Sequence, residues 1–158
     1  MTLVILGTQD KEFTRMIKMV EKQVKNGNLK DVIVQAGLTK YKSDCMQIFD
    51  LISMRKFNKL IKESDFIITH GGVGSILTSL QNNKKVIAIP RLSKYKEHEN
   101  DHQLQIVEEF TKLGYILSCN NDKQLEEAII NLDKFKPKKY KSNNKKMINI
   151  IEDYIDNL

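Results

Sequence analysis

The stretch DFIITHGGVGSILTSLQNNKKVIAIP, residues Asp65 to Pro90, decides the fold of this chain. It reads as a buried strand from Asp65 to Thr69, a glycine-rich turn, a helix starting near Ser75 and a second buried strand from Val86 to Ile89. Both strands are continuous apolar runs, the pattern of a parallel sheet covered on two faces. Between them His70-Gly71-Gly72-Val73-Gly74-Ser75 must turn the chain sharply into the helix. The three glycines permit positive φ and close backbone approach. The first N–H groups of a helix have no partner inside it, and the dipole places roughly half a positive charge there. Such a turn is a ready anion site, above all for phosphate, or else simply a tight strand-to-helix connection. It is not a Walker loop, since no Gly-Lys-Ser/Thr closes it, and the dinucleotide spacing GxGxxG fails at Leu77.

The rest of the chain repeats the alternation. A strand at Thr2 to Gly7 precedes a helix from about residue 11 to 25, with Phe13, Met16, Ile17, Val20 and Val24 on one face. Gly27 caps it, and Asp31 to Ala36 is a second strand. Cys45 to Leu51 is a weaker third strand, and Ser53 caps a helix bearing Met54, Phe57, Leu60 and Ile61. After the central stretch come a charged loop at Arg91 to Asn100, a helix from about Asp101 to Leu113 and a strand at Tyr115 to Ser118. Asp122 then caps a helix through Leu132, and a final helix spans Met147 to Leu158. Strands alternating with helices predict an α/β fold: a Rossmann-like parallel sheet with helices on both faces and right-handed crossovers. Ligands of such sheets bind outside the carboxyl ends of the strands, at Gly7 to Asp10, Gln35 to Lys42, His70 to Ser75 and Arg91 to Gln103.

Composition narrows the function classes. The 158 residues, 41% hydrophobic and 29% charged, predict one globular domain spanning 1–158. No apolar run approaches the roughly 20 residues of a membrane helix. The start MTLVILGTQDKE reads as a strand, not as a signal peptide. Cys45 and Cys119 are expected to be reduced, packed thiols. The net charge of +6 is concentrated in KFKPKKYKSNNKK, Lys134 to Lys146, with seven lysines and no acid, on a near-neutral remainder. That patch is either a solvated connection or a surface for anionic lipid or an acidic partner. It lacks the arginines and interleaved aromatics of base readers, so no nucleic acid is expected. The loop Glu97-His98-Glu99-Asn100-Asp101-His102-Gln103 offers side chains for sugar hydroxyls, or is a solvated loop with acids favouring a helix dipole. Glu99 and Asp101 alone make no convincing metal site.

Taken together, LVILGTQD, VIVQAG, SDFIITHGGVGSILTSL, KKVIAIPR and ENDHQLQIVEEFTKLGYIL resemble the carboxyl-terminal, nucleotide-binding half of GT-B glycosyltransferases of the family 28 type. Within that family the chain looks like the stand-alone catalytic subunits of two-component UDP-sugar transferases. These are the bacterial capsule and exopolysaccharide type and the UDP-GlcNAc transferase subunit of asparagine-linked glycan synthesis. The resemblance implies that His70 is catalytic and that Gly7, Thr8, Thr69, Gly71, Gly72, Gly74, Ser75 and Thr78 hold the nucleotide diphosphate. It implies that Asp101, His102 and Gln103 meet the donor sugar, and that Gln35, Gly37 and Arg91 belong to the other cleft loops. Thr78 stands where many relatives carry a glutamate that clamps the ribose. The implied reaction is inverting, metal-free and cofactor-free, with a UDP-sugar as donor and a polyprenyl diphosphate-linked saccharide as acceptor. For a short bacterial-type chain the resemblance favours galactose, β-1,4-linked, in capsule or exopolysaccharide assembly. The alternatives are a UDP-GlcNAc transferase subunit, a non-catalytic UDP-sugar-binding subunit, or an interaction module without nucleotide. A membrane-anchored partner resembling the GT-B amino-terminal half is implied as well. It would dock against the cleft and residues 134–158 and hold the chain, otherwise cytoplasmic, at the inner face of the membrane.

Overall fold

The computed structural model describes residues 1–141 together with Asn149 and Glu152. Apart from those two residues, the expected final helix and the end of the lysine-rich connection lie outside the described residues. The strands are β1 (Thr2–Ile5), β2 (Val32–Gln35), β3 (Gln47–Phe49), β4 (Phe66–His70), β5 (Val86–Ile89) and β6 (Leu117–Ser118). The helices are α1 (Thr14–Lys25), α2 (Met54–Glu63), α3 (Val73–Gln81), α4 (His102–Lys112) and α5 (Asp122–Ile130). Among the described residues, all six strands pair in parallel, in the order β3-β2-β1-β4-β5-β6. This is the Rossmann-like α/β sheet expected from the alternation.

Strand side chains alternate between the two faces of the sheet. Val4, Val34, Ile68 and Ile87 turn to one face and meet Phe13, Met16, Ile17 and Val20 at α1 and Leu125 and Ala128 of α5. Leu3, Ile5 and Ile67 turn to the other and meet Leu60 and Ile61 of α2, while Val86 and Ala88 pack under Ile76 and Leu80 of α3 and Val107 and Phe110 of α4. Each fully buried Val, Leu, Ile, Phe or Met among them contributes about 1.5 to 3 kcal/mol relative to leaving it exposed.

Several boundaries move for local reasons. α1 begins at Thr14 because Phe13 dives into the core, wholly buried, with its N–H donated to Thr39 Oγ1 at 2.9 Å. β3 shrinks to the three residues that pair with β2. α5 is capped by Asn121 rather than Asp122, its side chain accepting from Gln124 N–H at 2.8 Å. α4 starts at His102, with Asp101 at its N-cap making no side-chain cap. Cys119 is buried, which pushes its thiol up to about 12, and Cys45 is half-buried.

The described part of the lysine-rich connection is tied to the body. Lys138 N–H donates to Gly114 C=O at 2.9 Å, and the Tyr140 ring stands edge-on to Tyr115 at 5.9 Å. Gly114 follows α4, at the amino ends of the strands. The connection therefore starts on the pole opposite the loops that follow the strands.

Candidate functional site

Strand order reverses at β1, which has β2 on one side and β4 on the other. The crevice outside the carboxyl ends of β1 and β4 is the switch point at which open α/β sheets take their ligands. A cleft of about 420 Å³ opens there. Gly7, Thr8 and Gln9 after β1, Gln35 at the end of β2, His70 at the end of β4 and Gly72, Val73, Gly74, Ser75 and Thr78 of the turn and α3 line it.

His70 is the last residue of β4, paired beside Ile89, and not part of the turn. α3 begins at Val73 with Gly72 as N-cap, two residues before the expected start at Ser75. The first bond of its ladder is Ile76 N–H to Gly72 C=O at 3.1 Å, so the N–H groups of Val73, Gly74 and Ser75 lie outside it. The glycines of this turn were expected to supply positive φ, and none has it. They are there for space. A Cβ on Gly72 would run into the His70 imidazole, and one on Gly71 would sit 2.7 Å from Gln103 Cβ. A Cβ on Gly74 would meet nothing within 4 Å, so this glycine keeps the helix start open to the cleft.

Gly7, by contrast, does need its left-handed φ of 86°, and its missing Cβ would lie 2.5 Å from His70 Nε2. The ring is thus held between two glycine backbones with Nε2 at their gap. Burial first, and then the Arg91 guanidinium, drive the His70 pKa down to about 3, so the ring is neutral throughout the physiological range.

The remaining expected site residues stand outside the lining. Gln103, expected at the donor sugar, is wholly buried: Gly71 N–H and Arg91 N–H donate to its Oε1 at 3.0 and 3.1 Å, and its Nε2 faces His70 Nδ1 at 3.1 Å. Arg91, expected on a cleft loop, is 1% exposed. Its guanidinium donates to the carbonyls of Leu6, Lys11 and Glu97 at 2.7 to 3.0 Å and stacks over Phe13. Asp101 accepts from Ser93 N–H at 2.9 Å and pins the loop after β5. Thr69 and Gly71 are buried, Gly37 packs against the Gly7 carbonyl, and His102 sits partly buried at the start of α4. Thr78, by contrast, does line the cleft at its rim, its hydroxyl donated back to Gly74 C=O at 2.8 Å.

Sequence reasoning missed one wall. Leu51, Ile52, Met54 and Phe57 line the cleft opposite the glycine turn, and Leu51 and Met54 are 63% and 69% exposed. Met54, Phe57, Leu60 and Ile61 were expected on one face of α2: Leu60 and Ile61 are buried, Phe57 packs partly buried against their cluster, and Met54, in the first turn, stays exposed. The signal was present in Leu51-Ile52, an apolar pair beyond the end of a strand and before a helix cap.

The family profile of the glycosyltransferase family 28 C-terminal domain matches residues 1–158. The UDP-N-acetylglucosamine transferase subunit ALG13 of Candida albicans is 32% identical over 113 residues, 72% of this chain and 37% of that protein. The chain spans less than half the length of the curated relatives it matches. Among solved structures, the NMR structure of ALG13 aligns over 95% of this chain and 93% of that one, with a TM-score of 0.62 and 21% identity. The Methanocaldococcus jannaschii UDP-GlcNAc 2-epimerase, solved with UDP-GlcNAc and UDP, aligns over 98% of this chain and 45% of its own, with a TM-score of 0.63 and 13% identity. At these identities the two structures establish the shared fold.

Proposed function

The chain belongs to the glycosyltransferase family 28 C-terminal domain family, and from that premise we propose that it is the donor-binding, catalytic half of a two-chain transferase moving N-acetylglucosamine from UDP-GlcNAc. The acceptor is a polyprenyl diphosphate-linked saccharide presented by a membrane-anchored partner of the GT-B amino-terminal type. The observation that carries this reading is the convergence of the open α3 N-terminus and His70 Nε2 on one cleft at the β1/β4 switch point. Helix-start N–H groups and a neutral imidazole donor suit a diphosphate. The apolar wall of Leu51, Ile52, Met54 and Phe57 suits the flat face of the base beside it.

In the reaction the acceptor hydroxyl oxygen bonds to the anomeric carbon as the bond to the diphosphate breaks, and UDP leaves. Negative charge grows on the departing diphosphate, where the N–H groups of Val73, Gly74 and Ser75 and the His70 N–H stabilise it without a metal ion. The base that takes the hydroxyl proton comes from the partner. The donor sugar follows the curated relatives, which are named for N-acetylglucosamine. Galactose and a capsule setting gain no support from them, so UDP-galactose ranks second.

Calorimetric titration with UDP, UDP-GlcNAc and UDP-galactose tests the cleft, and turnover with a lipid-linked acceptor tests the enzyme. UDP-GlcNAc should bind more tightly than UDP-galactose, and turnover should require the partner chain. Full-rate transfer by this chain alone overturns the two-chain reading. Equal or preferential use of UDP-galactose overturns the donor.

A further inference from the structure

The amide of Gln103 has only one chemically sound orientation. Two backbone donors, Gly71 N–H at 3.0 Å and Arg91 N–H at 3.1 Å, converge on the same end of it from the turn after β4 and the loop after β5. That end must be the carbonyl oxygen, because the reverse orientation would set an NH2 against two N–H groups inside the core. The NH2 end then lies 3.1 Å from His70 Nδ1. An amide NH2 donates and cannot accept, so Nδ1 carries a lone pair and the proton of the neutral ring resides on Nε2. Nε2 is the atom at the gap between Gly7 and Gly72, on the cleft side.

We propose that Gln103 is a positioning residue that sets the tautomer of His70, keeping its N–H on Nε2 and aimed into the cleft, so that His70 serves the site as a fixed neutral donor and never as a proton carrier. The service to a diphosphate rests on the function proposed above; the tautomer does not. The surroundings agree. Among the described residues the ionisable groups acting on His70 are Arg91 and His98, both from the loop after β5, and both disfavour a second proton on the ring. α4 brings the neutral Gln103, α3 brings backbone N–H groups, and the turn after β1 brings Gly7.

The test starts with the free chain labelled with nitrogen-15 at histidine. Long-range proton–nitrogen spectra near neutral pH should show His70 as the Nε2–H tautomer, and an Nδ1–H tautomer overturns the proposal outright. Gln103→Glu is the informative variant. One carboxylate oxygen can still accept from Gly71 and Arg91, but the other now accepts where the NH2 donated, so the ring proton should move to Nδ1. Titration with UDP-GlcNAc then reads the consequence. The variant should bind about tenfold more weakly at about pH 8 than at about pH 6, where a protonated ring regains its Nε2–H, while the native chain stays flat. A variant that keeps the Nε2–H tautomer and the flat profile sinks the proposal, and the native spectrum alone decides it if the variant fails to fold. A native chain with the Nε2–H tautomer that binds no UDP-GlcNAc upholds the role of Gln103 and overturns the donor reading instead.

Discussion

Gln35 grips the backbone of Gly7 at both ends: Gly7 N–H donates to Gln35 Oε1 and Gln35 Nε2 donates to Gly7 C=O, each at 3.1 Å. The turn after β1 is thereby fixed against His70, and its glycine cannot give way to a side chain. Gly7→Ala should cost about 1 to 2 kcal/mol for the left-handed backbone alone, and should also push the imidazole out of place. Urea denaturation reads the first effect. Calorimetry should read the second as a loss of UDP binding of tenfold or more, about 1.4 kcal/mol. A Gly7→Ala chain that binds UDP like the native one would falsify the placement of Nε2 at this gap.

His70 makes two predictions of different kinds. His70→Ala should remove about 2 to 4 kcal/mol of transition-state stabilisation, read as a fall in kcat of the two-chain complex. The second concerns stability. The folded pKa of about 3 lies below the ordinary 6.5, so between those values the unfolded chain binds the proton and the folded chain does not. The contribution is fully present above the unfolded value and is lost as pH falls toward 3, by at most about 1.4 kcal/mol per pH unit. Denaturation series across that window should show a shallower decline for His70→Ala. Parallel curves contradict the burial assigned to this ring.

Arg15 and Glu97 form a two-pronged ion pair at 2.9 and 3.0 Å, with side chains 19% and 5% exposed. Arg15 also donates to Pro90 and Asn120 carbonyls, and Glu97 Oε1 accepts from Leu92 N–H. The pair buckles α1 to the loop that leads into Gln103. Removing Glu97 leaves a cation behind, so Glu97→Ala should cost about 3 to 5 kcal/mol. The double variant with Arg15→Ala should recover part of that, a coupling of about 1 to 3 kcal/mol in a double-mutant cycle. Strict additivity would mean that the two residues hold the loop independently.

Thr78 spends its hydroxyl proton on Gly74 C=O at the cleft rim. A longer carboxylate at this place would reach further and accept from both ribose hydroxyls. Thr78→Glu should therefore tighten UDP binding several-fold, about 1 kcal/mol, with no gain toward 2′,3′-dideoxy-UDP. Equal changes toward both ligands would place the ribose elsewhere.

Burial of the thiol separates the two cysteines. With Cys119 pushed up to about 12 and buried, alkylating reagents in mild base should modify half-buried Cys45 first, as mass spectrometry of the peptides can show. Faster labelling of Cys119 would contradict the packing of β6 against α5.

Sequence alone determined the layer architecture and the end of the sheet to search. Apolar runs such as Phe66 to Thr69 and Val86 to Ile89, punctuated by glycine and helix-period stretches, are local patterns, and parallel strands follow from their alternation. The glycine turn and His70 were visible for the same reason, since they lie within one strand-turn-helix unit, whereas Thr78 was singled out only by the family resemblance. Only tertiary structure decided which way the polar side chains face. Gly7 meets Gln35 across 28 residues and His70 meets Gln103 across 33, and no local pattern records such a meeting. A glutamine at a helix start or an arginine in a loop beyond a strand can face the cleft or the core with equal local propensity. Gln103 and Arg91 turn inward because backbone N–H and C=O groups from distant loops are buried there and must be paired.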